Sequence, residues 1–182
     1  MLVIMNNLLL DNKLGTIFRV TIGACFSLSD AVTDTYVIIT YYQSDELVGQ
    51  AIILLAFIAT STIIQLVVVC AQYHQKKLIV QLREGLYTIL MLRPVIDAYR
   101  VSMTEEDGET VVDRLTELVL NKIIELAMES IPGCVLQLFV WLKNPVEAGS
   151  FAMVSIGISA LTTGYISAMI AYNVDVDSNH RR

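Results

Sequence analysis

The sequence predicts an all-α, polytopic helical membrane protein with about four transmembrane helices plus one amphipathic or re-entrant helix, in a single domain. Three observations predict it. Of the 182 residues 55% are hydrophobic and only 16% charged, with a mean hydropathy of +0.62, whereas a soluble domain is about 25% charged. Two long stretches, residues 51–71 and 150–172, contain no charge at all. Elsewhere, the acids that interrupt apolar runs recur at helical rather than random spacing.

Taken in order, the opening "MLVIMNNLLL" has neither a positive start nor a small-residue cleavage site, so the first spanning helix is expected to direct insertion itself. Residues 17–42 are long enough to cross a hydrocarbon core of about 30 Å, although they contain Arg19, Asp30 and Asp34. Residues 51–71, "AIILLAFIATSTIIQLVVVCA", form the clearest span. Residues 78–101, "LIVQLREGLYTILMLRPVIDAYRV", have too short an uncharged run to cross and read as a surface-lying or re-entrant helix, broken at Pro94 because proline removes a helical donor. "TEEDGET" is then a polar turn. Residues 123–142 cross if Glu125 and Glu129 are tolerated, and residues 150–172 carry small side chains that let helices approach closely.

Lys and Arg cluster before the first span, from Lys76 to Lys122, and at the end of the chain, while the loops "QSDE" and "KNPVEAG" hold only Lys143. The positive-inside rule then places both termini in the cytoplasm. A net charge of −6 and no basic cluster with interleaved aromatics argue against nucleic acid as a partner. Cys25, Cys70 and Cys134 lie far apart without metal-ligand spacing, which predicts free buried thiols and no metal. Tyr36, Tyr41, Tyr42 and Tyr73 read as interfacial belt residues.

An Asp at the centre of a membrane helix is unfavourable by about 2.5–3.5 kcal/mol, so Asp30 and Asp34 are expected to face protein, water or a cation. Their helix supports this: Gly23, Ser27, Asp30, Asp34, Val37 and Tyr41 step by fours and threes along one face. Glu125, Glu129, Gly133 and Gln137 make a second stripe, with Pro132 expected to kink the helix and free a carbonyl beside it. Arg19, Arg93 and Lys122 are the available counter-charges. The plainer reading is that such acids form inter-helix ion pairs that only fix assembly.

Two stretches then resemble a known family. "SDAVTDTYVIITYY" is similar to the Asp-x-x-x-Asp-then-Tyr first helix of XK-related membrane proteins, and "ESIPGCVLQLFVWL" to that family's Glu-x-x-Pro-Gln-x-x-x-Gln segment, with Gly133 standing where the family has its first Gln. Animal members include phospholipid scramblases and are about twice as long as this chain, which is therefore expected to be an N-terminal half, a shortened relative or a fragment. The resemblance implies energy-independent scrambling at the plasma membrane. Phospholipid head groups would follow an intramembrane polar path of Asp30, Asp34, Glu125, Glu129 and Gln137 while their tails stay in lipid. It also implies a caspase site in "VDVD", for which a solvated acidic tail is the default reading. No phosphate-binding loop or nucleophile–base arrangement is visible, so neither enzyme chemistry nor a cofactor is expected. An ion or proton pathway is the alternative; a non-transporting subunit bound to a partner membrane helix or to a second copy is another.

Overall fold

The computed structural model describes residues 13–74, 76–103 and 114–176. The polar turn "TEEDGET" and the tail from Asp177 onward, read above as a linker and an acidic end, lie outside the described residues, as does the apolar opening. Within them the chain forms α1 (Lys13–Tyr42), α2 (Val48–Gln72), α3 (Leu78–Ile89), α4 (Arg93–Met103), α5 (Arg114–Glu125), a π-helical turn (Leu126–Ser130), α6 (Ile131–Lys143) and α7 (Pro145–Val176). Four stretches are long and apolar enough to cross a membrane: Gly15–Tyr42, Val48–Gln72, Thr116–Lys143 and Pro145–Tyr172.

The third of these begins well before the expected residue 123. Its early turns carry Glu117, Asn121 and Lys122, which look too polar to span until the structure buries all three. The π turn marks the influence of Pro132, the second residue of α6. Proline has no N–H to offer the carbonyl four residues back, and its ring crowds that carbonyl. The preceding turn therefore widens, and the Ile131 N–H reaches back five residues to the Leu126 carbonyl. The expected kink is thus a local widening. At the head of α7, Gly149 adopts φ 73°, ψ 165°, a conformation open only to glycine at low cost, and it turns the first residues away from the main helix.

Helix α1 is the centre of the bundle, packed against α2, α4 and α7. Its long hydroxylic run stays helical because Thr33, Thr35 and Thr40 bond their side chains to the carbonyls of Ser29, Ala31 and Tyr36 at 3.0, 2.7 and 3.0 Å, so these three hydroxyls need no water. Two apolar clusters cap the interior. One, at the α1–α2 and α6–α7 loops, gathers Val37, Tyr41, Leu47, Leu54, Val140 and Ala152, and there Ser44 donates to Glu147 at 3.2 Å. The other gathers Val20, Ala24, Ala98, Leu118 and Met169. Between them lies a polar layer, including Ser61, Ser130, Gln137, Ser155, Ser159 and Thr162, all fully buried.

Outside, the pattern is reversed, since Ile52, Leu55, Ile63, Val67, Val135 and Leu161 are among the many exposed aliphatic residues. An apolar exterior around a polar interior is what lipid, rather than water, demands. The same inversion governs α3 and α4. Leu78, Leu82, Leu86, Ile89, Val95 and Tyr99 face out while Glu84, Thr88, Arg93, Asp97 and Arg100 face in. The break between these helices falls at Leu90–Leu92, where Met91 adopts φ 56°. Pro94 itself occupies the first turn of α4, where its missing donor costs nothing.

Two expectations need correction. The cysteines are free, yet Cys25 and Cys70 are exposed on the lipid-like exterior and Cys134 is half-buried, because the interior is given to polar side chains. Tyr41 and Tyr73 are buried packing residues and not belt residues; Tyr36 and Tyr42 are exposed.

Candidate functional site

Each residue of the first stripe, from Gly23 through Ser27, Asp30, Asp34 and Val37 to Tyr41, is buried. This is the face that α1 turns to its neighbours. The second stripe meets it. Ser130 donates to Asp30 Oδ2 at 3.0 Å and Gln137 Nε2 to Asp34 Oδ1 at 2.8 Å. Between these contacts Gly133 leaves room, for a Cβ added there would lie 3.9 Å from Asp34 Oδ2. Helix α7 completes both cages, with Ser159 donating to Asp30 Oδ1 at 2.5 Å and Ser155 to Asp34 Oδ1 at 2.9 Å. Thus both aspartates are solvated by hydroxyls and an amide rather than by cations.

Of the expected counter-charges, only Lys122 meets an acid of the path. It pairs with Glu125 at 2.8 Å and donates to Ser27. Arg19 lies over the Tyr172 ring, 4.1 Å from its centroid, and bonds Thr16. Arg93 turns to Asp97 at 3.2 Å and to Glu117. The physical reason is local: α4 and α5 supply acids nearer to Arg93 than the aspartates of α1 are. Among the described residues, Asp30, Asp34 and Glu129 form no ion pair.

Glu129, on the π turn, is half-buried and faced by the Ser61 hydroxyl. With Ser27, Asp30, Gln65, Arg93 and Glu125 it lines a narrow crevice between α1, α2, the α3–α4 connection and the π turn, partly open to the outside. On its other side Glu129 reaches a smaller cavity with Asp34 and Gly133. Because Glu129 lines both spaces, the acids stand in a row, Asp34 on one side of it and Asp30 and Glu125 on the other. Such a row can hold or pass a group carrying positive charge, and its hydroxyls can accept or donate along the way. Among the described residues, no group of three or more His, Cys, Asp or Glu is placed to hold a metal ion.

A separate charged cluster anchors α3 and α4. Arg100 bonds Glu84 through both terminal nitrogens at 2.6 Å each, the paired geometry that makes guanidinium–carboxylate contacts strong. Burial alone would raise the Glu84 carboxyl, but hydrogen bonds and charge from Arg100, with Arg93 and Arg83 nearby, hold it below its usual range.

Sequence reasoning missed the serines that cage the aspartates. Ser155 and Ser159 stand four apart in an apolar span and read equally well as small packing residues. It also missed Asn121 and Gln65 as lining residues. The profile of the XK-related protein family matches residues 18–179. No curated protein and no solved structure gives a significant match.

Proposed function

This chain belongs to the XK-related protein family, and from that membership we propose that it moves phospholipid head groups across the bilayer, without an energy source, along the row of acids and hydroxyls between α1, α2 and α6. One observation supports this most: Asp30, Asp34 and Glu129 have no cationic partner among the described residues, yet the two aspartates are buried and Glu129 half-buried in a bundle whose exterior suits lipid. Ionisable side chains inside a membrane bundle default to a functional reading. The head group exchanges hydroxyl and carboxylate contacts step by step while its tails remain outside among the exposed aliphatic residues. The reading asks for no covalent chemistry.

The α3–α4 hairpin is read as dipping into the cytoplasmic leaflet, since its apolar face is turned outward and its charges inward. Both termini are assigned to the cytoplasm from the Lys and Arg distribution, and the plasma membrane from the family. The partners of this reading are membrane phospholipids, with a second copy or a partner helix on the lipid-facing surface.

An ion pathway would use the same unpaired acids, which is the observation in its favour. Liposome exchange of fluorescent phospholipids, run beside conductance recordings on the same preparation, tests both. Lipid exchange without conductance supports the proposal, conductance without exchange replaces it with the ion pathway, and silence in both leaves a non-transporting subunit.

A further inference from the structure

The α3–α4 hairpin sorts its charges by face. Glu84, Arg93, Asp97 and Arg100 are buried on the inner face, where the arginines bond these acids and Glu117. On the outer face Lys77 and Arg83 are exposed and Lys76 is half-buried, while no acid among residues 73–100 is exposed. Arg83 touches Glu84 at 3.2 Å, yet its side chain is 54% exposed, and Glu84 is already matched by both terminal nitrogens of Arg100. The same outer face carries an apolar row, Leu78, Ile79, Leu82, Leu86 and Ile89, each more than half exposed.

The cations are held in place. The Gln81 side-chain amide lies 2.9, 3.3 and 3.2 Å from the carbonyls of Tyr73, His74 and Lys76, which ties the α2–α3 turn to α3 and fixes Lys76 and Lys77 about two turns before Arg83. The two ends of the bundle differ accordingly. Where α2 starts, beside the α6–α7 loop, the exposed charges are Asp45, Glu46 and Glu147 against Lys143. Where α2 finishes, the exposed charges of the turn and of α3 are the cations Lys77 and Arg83.

We propose that the outer face of α3, with the α2–α3 turn, is a docking surface for anionic phospholipid, whose tails lie along Leu78, Leu82 and Leu86 and whose head group meets Lys76, Lys77 and Arg83. Charge complementarity names the occupant. An apolar row alone accepts any lipid, but basic side chains gathered at one end of it, with no exposed acid between them, favour a head group of net negative charge. A zwitterion gains less, because it brings a cation of its own. Long basic side chains suit the place, since their stems cover apolar surface while their ends reach head-group level. The surface lies outside the bundle and apart from the row of acids, so it stands whether or not those acids carry lipid. The rival occupant within this chain is the run of acids Glu105, Glu106, Asp107 and Glu109.

The test is the thermal stability of the detergent-solubilised full chain with dioctanoyl phosphatidylglycerol, dioctanoyl phosphatidylcholine or inorganic phosphate. Phosphatidylglycerol is expected to raise the Tm by about 2–4 °C more than phosphatidylcholine, and phosphate to leave it unchanged. In about 1 M salt, where charges are screened beyond about 3 Å, the difference between the lipids is expected to vanish. The Lys77→Gln, Arg83→Gln variant, altered only at exposed side chains, is expected to fold as well as the parent and lose the difference. Lys77→Arg with Arg83→Lys is expected to keep it, as is Lys143→Gln at the opposite end of the bundle. Equal shifts with the two lipids, a phosphate shift as large as that of phosphatidylglycerol, a difference that persists in high salt, or one that survives in the Gln variant overturns the proposal. A difference that emerges only when Glu105, Glu106, Asp107 and Glu109 are all made neutral gives the face to that acidic run and also overturns it.

Discussion

The Gln137 side-chain amide donates a 2.8 Å hydrogen bond to Asp34 Oδ1 across the interface of α6 and α1. Ser155 of α7 shares the same oxygen, so one carboxylate joins three helices inside an apolar-coated bundle. Its acceptor capacity, not a salt bridge, is what holds it there.

That distinction separates two substitutions. Asp34→Asn keeps an acceptor for Gln137 and strands no cation. It should destabilise by about 1 kcal/mol, the difference between charged and neutral hydrogen bonds, rather than the roughly 3–5 kcal/mol of a broken buried ion pair. Asp34→Leu leaves the Gln137 amide and the Ser155 hydroxyl unsatisfied and should cost about 1–3 kcal/mol for each. Thermal unfolding in detergent checks the order: parent and Asn variant close together, Leu variant well below.

Gly133 sits where the two stripes approach. An alanine Cβ would lie 3.8 Å from Leu54 and 3.9 Å from Asp34, ordinary contact distances. Gly133→Ala should therefore gain up to about 1 kcal/mol from helix propensity. Gly133→Leu overpacks the same gap, should cost about 1–3 kcal/mol, and should part Gln137 from Asp34. A Leu variant as stable as the Ala variant would mean that the helices are not in close contact there.

Those two stripes were legible in the sequence because residues at i+3 and i+4 share a helix face whatever the tertiary structure. Their mutual contact was not, nor were the serines of α7, since a serine in an apolar span reads the same whether it packs or bonds. Arg93 shows the limit most plainly. Its partner Glu117 lies twenty-four residues away across the undescribed linker, and no spacing rule connects them. The four apolar spans were clear from composition; the polar start of the third was hidden because Lys122 looks incompatible with lipid until Glu125 and Ser27 enclose it.

The Glu84–Arg100 pair carries a pH dependence. Because the Glu84 carboxyl is held below its ordinary value of about 4.5, its contribution is fully present above that value and is lost as pH falls through the lower, folded value. Glu84→Gln should destabilise by up to about 3 kcal/mol at neutral pH, since Arg100 then keeps only the Asp97 carboxylate, 3.9 Å away. Unfolding midpoints recorded for parent and variant against pH should differ at pH 7, begin to approach each other near 4.5 and converge only below the lower, folded value. A constant difference would mean that Glu84 is not the titrating group.

Topology is open to direct labelling. A cysteine placed at Glu106, outside the described residues, should resist membrane-impermeant reagent in intact cells and react after permeabilisation, since the basic segment is assigned to the cytoplasm. A glycosylation sequon engineered beside Pro94 should stay unmodified, because the proposed topology has the α3–α4 hairpin enter and leave on one side. Modification at Pro94 would make the hairpin a crossing and end the four-span arrangement.

Lipid exchange in liposomes by the Asp30→Asn, Asp34→Asn double variant, read beside its thermal stability, tests the central claim most directly. Neither aspartate pairs with a cation among the described residues, so the double variant should fold with a loss of only about 2 kcal/mol, about 1 for each aspartate, while exchanging fluorescent phospholipid about tenfold more slowly, equivalent to about 1.4 kcal/mol. Glu129→Gln should slow exchange similarly. Exchange at the parent rate in a folded double variant would contradict the account and leave these carboxylates only as acceptors that join α1 to α6 and α7.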